Sequence, residues 1–240
     1  MQDHVNRLPP VPEMIFSISP MNLARRSIER SLAPRRARYQ REVDALMRAA
    51  VRVMGRKGYA AATVADVLAE AHLSTRPFYR HFQSKDELFL AVFEQDSIAA
   101  SERMRARLAA AAGPLEKLGA WVDEMLSLGY EPRRARRTKV LMHEAGALRA
   151  VFAKEFAAIY AAPEQALVPI LEQGWSEGVF PAADPKADAC SIRALTWEIV
   201  EASFDRGATL DEKTARARVL DFTLRALGAD RETARRRLGF

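Results

Sequence analysis

Cysteine is nearly absent: Cys190 is the only one among 240 residues. No intrachain disulfide can form, and a Cys-based metal cage is excluded. His4, His72, His81 and His143 are the only histidines. A chain of this length can bury roughly 70% or more of its extended surface, so it needs no cross-links. The cysteine usage fits a reducing cytosol. Long apolar runs are missing too, since nothing approaches the ~20 apolar residues of a membrane span. The early uncharged run Met14 to Ala24 is interrupted by Ser17, Ser19, Pro20 and Asn22 and is no signal-peptide core. A soluble cytoplasmic protein with no membrane partner is expected. Catalytic motifs are also lacking. There is no nucleophile elbow, no phosphate loop, no Cys/His metal spacing and no pair of carboxylates in a catalytic context. His143-Glu144 lacks the second His of a zinc-protease motif. The expectation is no enzyme, no cofactor and no metal.

What the chain does have is a charge asymmetry. Residues 1–90 hold 15 Lys and Arg against 9 Asp and Glu, while residues 91–240 hold 22 and 22. The whole net charge of +6 therefore sits at one end. A basic end on a neutral body suggests a polyanion partner there. The bland alternative is an Arg-rich composition, with 30 Arg against 7 Lys.

Residues 1–37 read as a basic arm broken by Pro9, Pro10, Pro12, Pro20 and Pro34, poorly ordered apart from a short helix near Asn22–Leu32. Met21 is a second possible start. From Arg38 the pattern becomes periodic: Val43, Leu46, Met47, Ala50, Val51 and Met54 recur at helical spacing, up to a stop at Gly58. Thr63-Val-Ala-Asp66 is a capping-box pattern opening a second short helix, His72-Leu73 a turn, and Ser74 an N-cap for a third helix over Thr75 to Phe82. Ser84-Lys-Asp-Glu87 is a second capping box. The rest reads as helices over about 85–111, 114–129, 132–145, 147–178, 186–206 and 212–228, with a break near Ala161–Pro163 and a frayed basic tail from residue 229. The fold class is all-α, with a helix-turn-helix domain at 38–84 and a larger helical domain at 85–228.

Thr63–Phe82 has helix-turn-helix dimensions, which place the second helix in the major groove. Val67, Leu73, Phe78 and Phe82 supply a small core. The remaining face offers Thr75, Arg76, Pro77, Tyr79, Arg80 and His81: an Arg for guanine edges, an apolar group for a thymine methyl, and donors for phosphates. Thr63 and Lys85 open helices whose free N–H groups suit a phosphate.

The run from Gly58 to Phe89, above all Phe78-Tyr-Arg-His-Phe82 followed by Ser84-Lys-Asp-Glu-Leu88, resembles the DNA-binding signature of TetR-family transcriptional regulators. The resemblance covers about residues 40–93. It implies an all-helical homodimer that binds double-stranded DNA through its N-terminal unit and a small-molecule effector through its C-terminal domain. It places the family's phosphate-binding Tyr, His and Lys on Tyr79, His81 and Lys85. The capping Thr falls on Thr63, and the variable base-reading positions fall on Thr75, Arg76, Pro77 and Arg80. Three departures stand out. Ala65 replaces a polar base-contacting residue. His72 replaces the turn Gly and must adopt a left-handed conformation. Pro77 disfavours helical angles at Arg76, which would start the recognition helix one residue late.

Two late helices carry apolar stripes, Leu195, Trp197, Val200 and Phe204 on one, and Val219, Phe222, Thr223 and Leu227 on the other. By the resemblance these are the dimer interface; the alternative is intramolecular core. Large apolar groups crowd the middle of the chain. Trp121, Met125, Met142 and Phe152, then Phe156, Tyr160 and Trp175, are candidate ligand contacts or plain core. His143, Tyr160, Glu124 and Gln173 are the candidate polar groups of such a cavity. The pattern favours a hydrophobic or amphipathic effector. Cys190 reads as core. The leading reading is a ligand-responsive repressor on a near-palindromic operator. An activator on the same fold and a helical lipid carrier are the alternatives.

Overall fold

Chain breakers and caps divide the sequence into ten helices among the residues that the computed structural model describes, 21–205 and 210–240. No strand occurs among them. The protein is all-α, a helix-turn-helix unit followed by larger helical layers. No described helix is long and apolar enough to cross a membrane. The chain divides into two units, one ending at Asp44 and the other spanning Ala45–Phe240.

In the first unit the described residues are helical from Met21, the start of α1 (Met21–Ala61), so the short helix expected near Asn22–Leu32 is part of a longer continuous one. Pro34 lies inside this helix. Pairs four residues apart account for the order: Arg35 Nε donates to Tyr39 Oη at 2.9 Å, Gln40 Nε2 to Asp44 Oδ1 at 2.9 Å, and Arg38 lies 3.7 Å from Glu42. Each such pair supports a helix by about 0.2–0.5 kcal/mol. The expected arm over residues 1–20 lies outside the described residues.

In the second unit, Gly58 takes a positive φ of 75° inside α1 and kinks its last turn. α2 (Val64–Ala71) and α3 (Thr75–His81) form the helix-turn-helix, and α4 (Lys85–Ala110) leads into the body. Thr63 caps α2 with both halves of the box: its Oγ1 accepts from Asp66 N–H, and Asp66 accepts from Thr63 N–H. His72 closes α2 in the left-handed conformation, φ 55° and ψ 40°. Three expectations change in detail. Ser74 occupies the N-cap of α3 without a side-chain hydrogen bond, and α3 starts at Thr75, with no delay caused by Pro77. At α4, Ser84 Oγ accepts from Glu87 N–H, while the Glu87 carboxylate reaches back to Gln83 N–H rather than to Ser84.

The body is built around α5 (Pro114–Tyr130), which packs against α4, α6 (Pro132–Arg149), α7 (Ala153–Ser176), α8 (Pro185–Ala202) and α9 (Glu212–Ala226). Leu118, Trp121, Val122 and Leu126 on α5 are buried to 1% exposure or less. A central helix must be apolar on most of its surface, and this one is. The break expected near Ala161–Pro163 lies instead at residues 150–152, where Val151 and Phe152 N–H both return to Leu148 O. α7 runs through Pro163 and Pro169. Burial of Phe156, Leu167 and Leu171 on the turns around the prolines holds it together, against an interior-proline cost of about 3 kcal/mol. The C-terminal tail is a helix, α10 (Arg231–Leu238), capped by Asp230 and tied to the body by Arg237–Glu116 at 2.7 Å and Arg216 Nη1 to Leu238 O at 3.0 Å. Cys190, expected in the core, is exposed on α8.

Candidate nucleic-acid interface and ligand cavity

α3 presents its outer face because its other side is anchored. Val67 and Phe78 are fully buried and Phe82 nearly so. The Phe78 ring packs 6.0 Å from Phe82 and edge-on to Tyr79 at 5.2 Å. Leu46, Ala49, Ala50 and Val53 of α1 and Leu88 and Val92 of α4 are equally buried. Thr75, Arg76, Tyr79 and Arg80 remain exposed, and Pro77 and His81 are half-buried. Tyr79 keeps 62% of its surface in solvent, unusual for an aromatic residue beside a core.

Ion pairs lock α1 to α2. Arg52 and Arg56 each lie 2.5 Å from the Glu70 carboxylate, and Lys57 lies 2.6 Å from Asp66. The hydrogen bonds from Arg52 and Arg56 hold Glu70 below the usual carboxylate range. Those from Lys57 and then Thr63 draw Asp66 down to about 2.

Lys85 is arranged differently from an open phosphate grip. Its ammonium donates to Tyr59 O and Ala62 O, each at 3.0 Å, and sits 4.3 Å over the Tyr59 ring. It thus satisfies carbonyls at the end of α1. Tyr59 in turn donates to Asp86, and burial, followed by that bond, raises its phenol well above the ordinary value. Thr63 is exposed, and its hydroxyl is engaged with Asp66. Ala65 is exposed on α2 and offers no hydrogen bond to a base.

The body holds an apolar cavity of about 150 Å³. Of the candidate contacts, Met125, Met142, Phe156 and Tyr160 line it. Trp121 does not: it is fully buried core, its indole N–H donating to Pro163 O at 2.9 Å. Phe152 is not on the cavity wall, and Trp175 is 59% exposed on the surface. The side chain of His143 lies outside the described residues. Glu124 faces a small satellite chamber but is committed elsewhere. It is only 2% exposed, with Arg103 Nε at 3.1 Å and Arg134 Nη1 at 2.9 Å. Arg107 Nε approaches its second oxygen at 2.9 Å without hydrogen-bond alignment. This carboxylate joins α4, α5 and α6 and is no free ligand group. Its arginines include one from the α6 cluster Arg133, Arg134, Arg136 and Arg137. Arg134 and Arg137 of that cluster point inward, Arg137 onto Asp96, while Arg133 and Arg136 stay exposed.

Cavity residues not anticipated include Phe93, Ser97, Ala100 and Ser101, which follow one face of α4 at helical spacing, a signal present in the sequence. Trp197, placed at a subunit contact by its stripe, lines the cavity instead. The other interface candidates divide. Val200, Val219, Thr223 and Leu227 are fully buried within the chain, so no partner can reach them. They belong to the intramolecular core. Leu195 and Phe204 are half-buried against it. Phe222, 50% exposed, is the candidate that faces outward. Among the described residues no group of His, Cys, Asp and Glu is arranged to hold a metal ion.

Residues 46–92 match the family of bacterial regulatory proteins, tetR family. No curated protein matches the chain. Among solved structures, a bacterial regulatory protein in the tetR family from Rhodococcus RHA1 is 23% identical with a TM-score of 0.62, covering 78% of this chain and 97% of that one. FadR from Bacillus subtilis, in complex with stearoyl-CoA, is 20% identical with a TM-score of 0.66 over 76% of this chain and 97% of that one. AibR, in complex with isovaleryl coenzyme A and operator DNA, is 19% identical with a TM-score of 0.58 over 75% and 97%. At these identities the likeness is one of fold.

Proposed function

We infer that this chain, which carries the DNA-binding segment of the tetR family, is a ligand-responsive transcriptional regulator, a repressor that leaves its operator when a small effector fills the body. The observation that carries the reading is the recognition face itself. Thr75, Arg76, Tyr79 and Arg80 are held out in solvent by a helix whose opposite side is locked into a core. Residues 38–84 bind DNA, and residues 85–228 bind effector and dimerise. Two copies related by a two-fold axis present two recognition helices about 34–36 Å apart, one turn of duplex, which implies a near-palindromic operator. The exposed Phe222 supports a partner on the α9 side. The apolar cavity supports a hydrophobic or amphipathic effector, as do the acyl-coenzyme A complexes of the two neighbours. DNA and effector disfavour each other by the same factor, because each selects one spacing of the recognition helices. The protein acts in the cytoplasm.

The test is selection of bound genomic fragments, followed by affinity for the recovered site. Replacing Tyr79, His81 and Lys85 together should abolish operator binding; unchanged affinity in a folded triple variant rejects the assignment. Arg76→Ala should relax one base preference by about 1–3 kcal/mol. A uniform loss over all sequences would make Arg76 a phosphate contact instead. A reporter beside the operator separates repression from activation.

A further inference from the structure

The apolar cavity is not closed on all sides. A satellite chamber shares Ala100, Met125, Leu128 and Pro163 with it and Met104 and Ala166 with an open groove between α4 and α7. Ser101 and Ala162 line all three spaces. The two residues common to cavity, chamber and groove are thus both small, which leaves room at that point for a chain to pass between the larger Met104, Met125 and Leu128. Volume gives a second reason to join them. The inner cavity of about 150 Å³ is below the roughly 300–1,000 Å³ of common ligand pockets. The groove adds about 620 Å³.

The two ends differ in charge. In the inner cavity each ionic group has a partner: Asp96 is taken by Arg137, and Arg193 by Glu164 at 3.1 Å. A bound group gains no net charge there. The groove wall holds two cations, Arg105 and Lys117, and no acid. Arg105 is exposed and has no ion pair among the described residues. Lys117 donates to the neutral amide oxygen of Gln173 at 2.8 Å, and Glu177, outside the wall, takes the amide nitrogen of Gln173 at 2.7 Å. Both cations keep donors for an anion.

We propose that cavity and groove form one track for an unbranched amphipath, its hydrocarbon chain threaded past Ser101 and Ala162 into the inner cavity and its anionic head held by Arg105 and Lys117. This rests on the reading of the body as the effector-binding domain and names the chemistry of that effector. A carboxylate and a phosphate head share the required charge.

Calorimetric titration of the full chain, without DNA, with dodecanoate, dodecyl phosphate and dodecanol tests the track. Both anions should bind at least about tenfold tighter than the alcohol, the value of one charge-assisted contact; the tighter of the two identifies the head. R105Q/K117Q, changing the groove wall alone, should lower both anions to the affinity of the alcohol and leave the alcohol unchanged. Ala162→Leu should weaken all three twelve-carbon ligands by tenfold or more while octanol, short enough for the inner cavity, still binds. Equal binding of alcohol and anions, a preference that survives R105Q/K117Q, or no binding of any of the three overturns the proposal. Operator affinity of the same preparation is read separately, so loss of the regulator reading and loss of the track are distinct results.

Discussion

Lys85→Met separates support of the fold from contact with DNA. The substitution keeps the methylene stem and removes the ammonium, which donates to Tyr59 O and Ala62 O and lies over the Tyr59 ring. These carbonyls end a helix, so water satisfies them in part once the lysine is gone. Two charge-assisted bonds at a half-exposed site and one cation–π contact together give an expected loss of about 2–3 kcal/mol. For a chain of this size that lowers the melting temperature by roughly 5–10 °C. Tyr79→Phe is the matched control. Tyr79 is mostly in solvent, so stability should hold within about 0.5 kcal/mol, while operator affinity falls at least about tenfold if the hydroxyl grips a phosphate. Thermal melts and operator titrations over a salt series read both effects. If Lys85 also meets a phosphate, its variant lowers the slope of log affinity against log salt by about 0.9 per subunit; Tyr79→Phe, which removes no charge, leaves the slope alone. A Lys85→Met protein that melts with the parent refutes the helix-end role.

Three further outcomes are expected. A Cβ added at Gly174 would lie 1.9 Å from Cδ2 of the fully buried Phe180, so Gly174→Ala should destabilise by about 2–4 kcal/mol in urea melts; Gly146→Ala, with nothing within 4 Å, should instead gain up to ~1 kcal/mol. Asp66 has its folded pKa lowered from 3.8 to about 2 by Lys57 and Thr63. Its contribution is therefore complete above the unfolded value and lost as pH falls through the folded one. The melting-temperature gap between the parent and Asp66→Asn should shrink as the pH is taken from about 4 to about 2, and a gap independent of pH contradicts the assignment. Phe222→Glu should convert a dimer to monomer in sedimentation; an unchanged mass would move the interface off the exposed side of α9.

Local chemistry made much of the helix-turn-helix unit legible from residues alone. Thr63 and Asp66 cap each other three residues apart, Ser84 caps α4, and the spacing of Val67, Phe78 and Phe82 marks the side that must be buried. The left-handed turn at His72 followed from its place between two helices. Each of these depends on neighbours a turn or two away, so periodicity and residue type suffice. Residues 21–37 and the tail depart from expectation because Pro34 and an arginine-rich end look disruptive, while i,i+4 pairs in one and docking against α5 and α9 in the other organise them. In the body, Trp121 and Met125 stand one turn apart on the same helix, yet one is core and the other cavity wall. Val219 and Phe222 share an apolar stripe, yet the first is wholly inside the chain and the second outside. Lys85 meets carbonyls more than twenty residues earlier. The amino-acid order determines which faces are apolar and where helices start and stop. Which apolar face closes on the chain itself, which surrounds a void and which stays open to a partner is decided by how far-apart helices pack, since burial depends on surfaces that no local pattern contains.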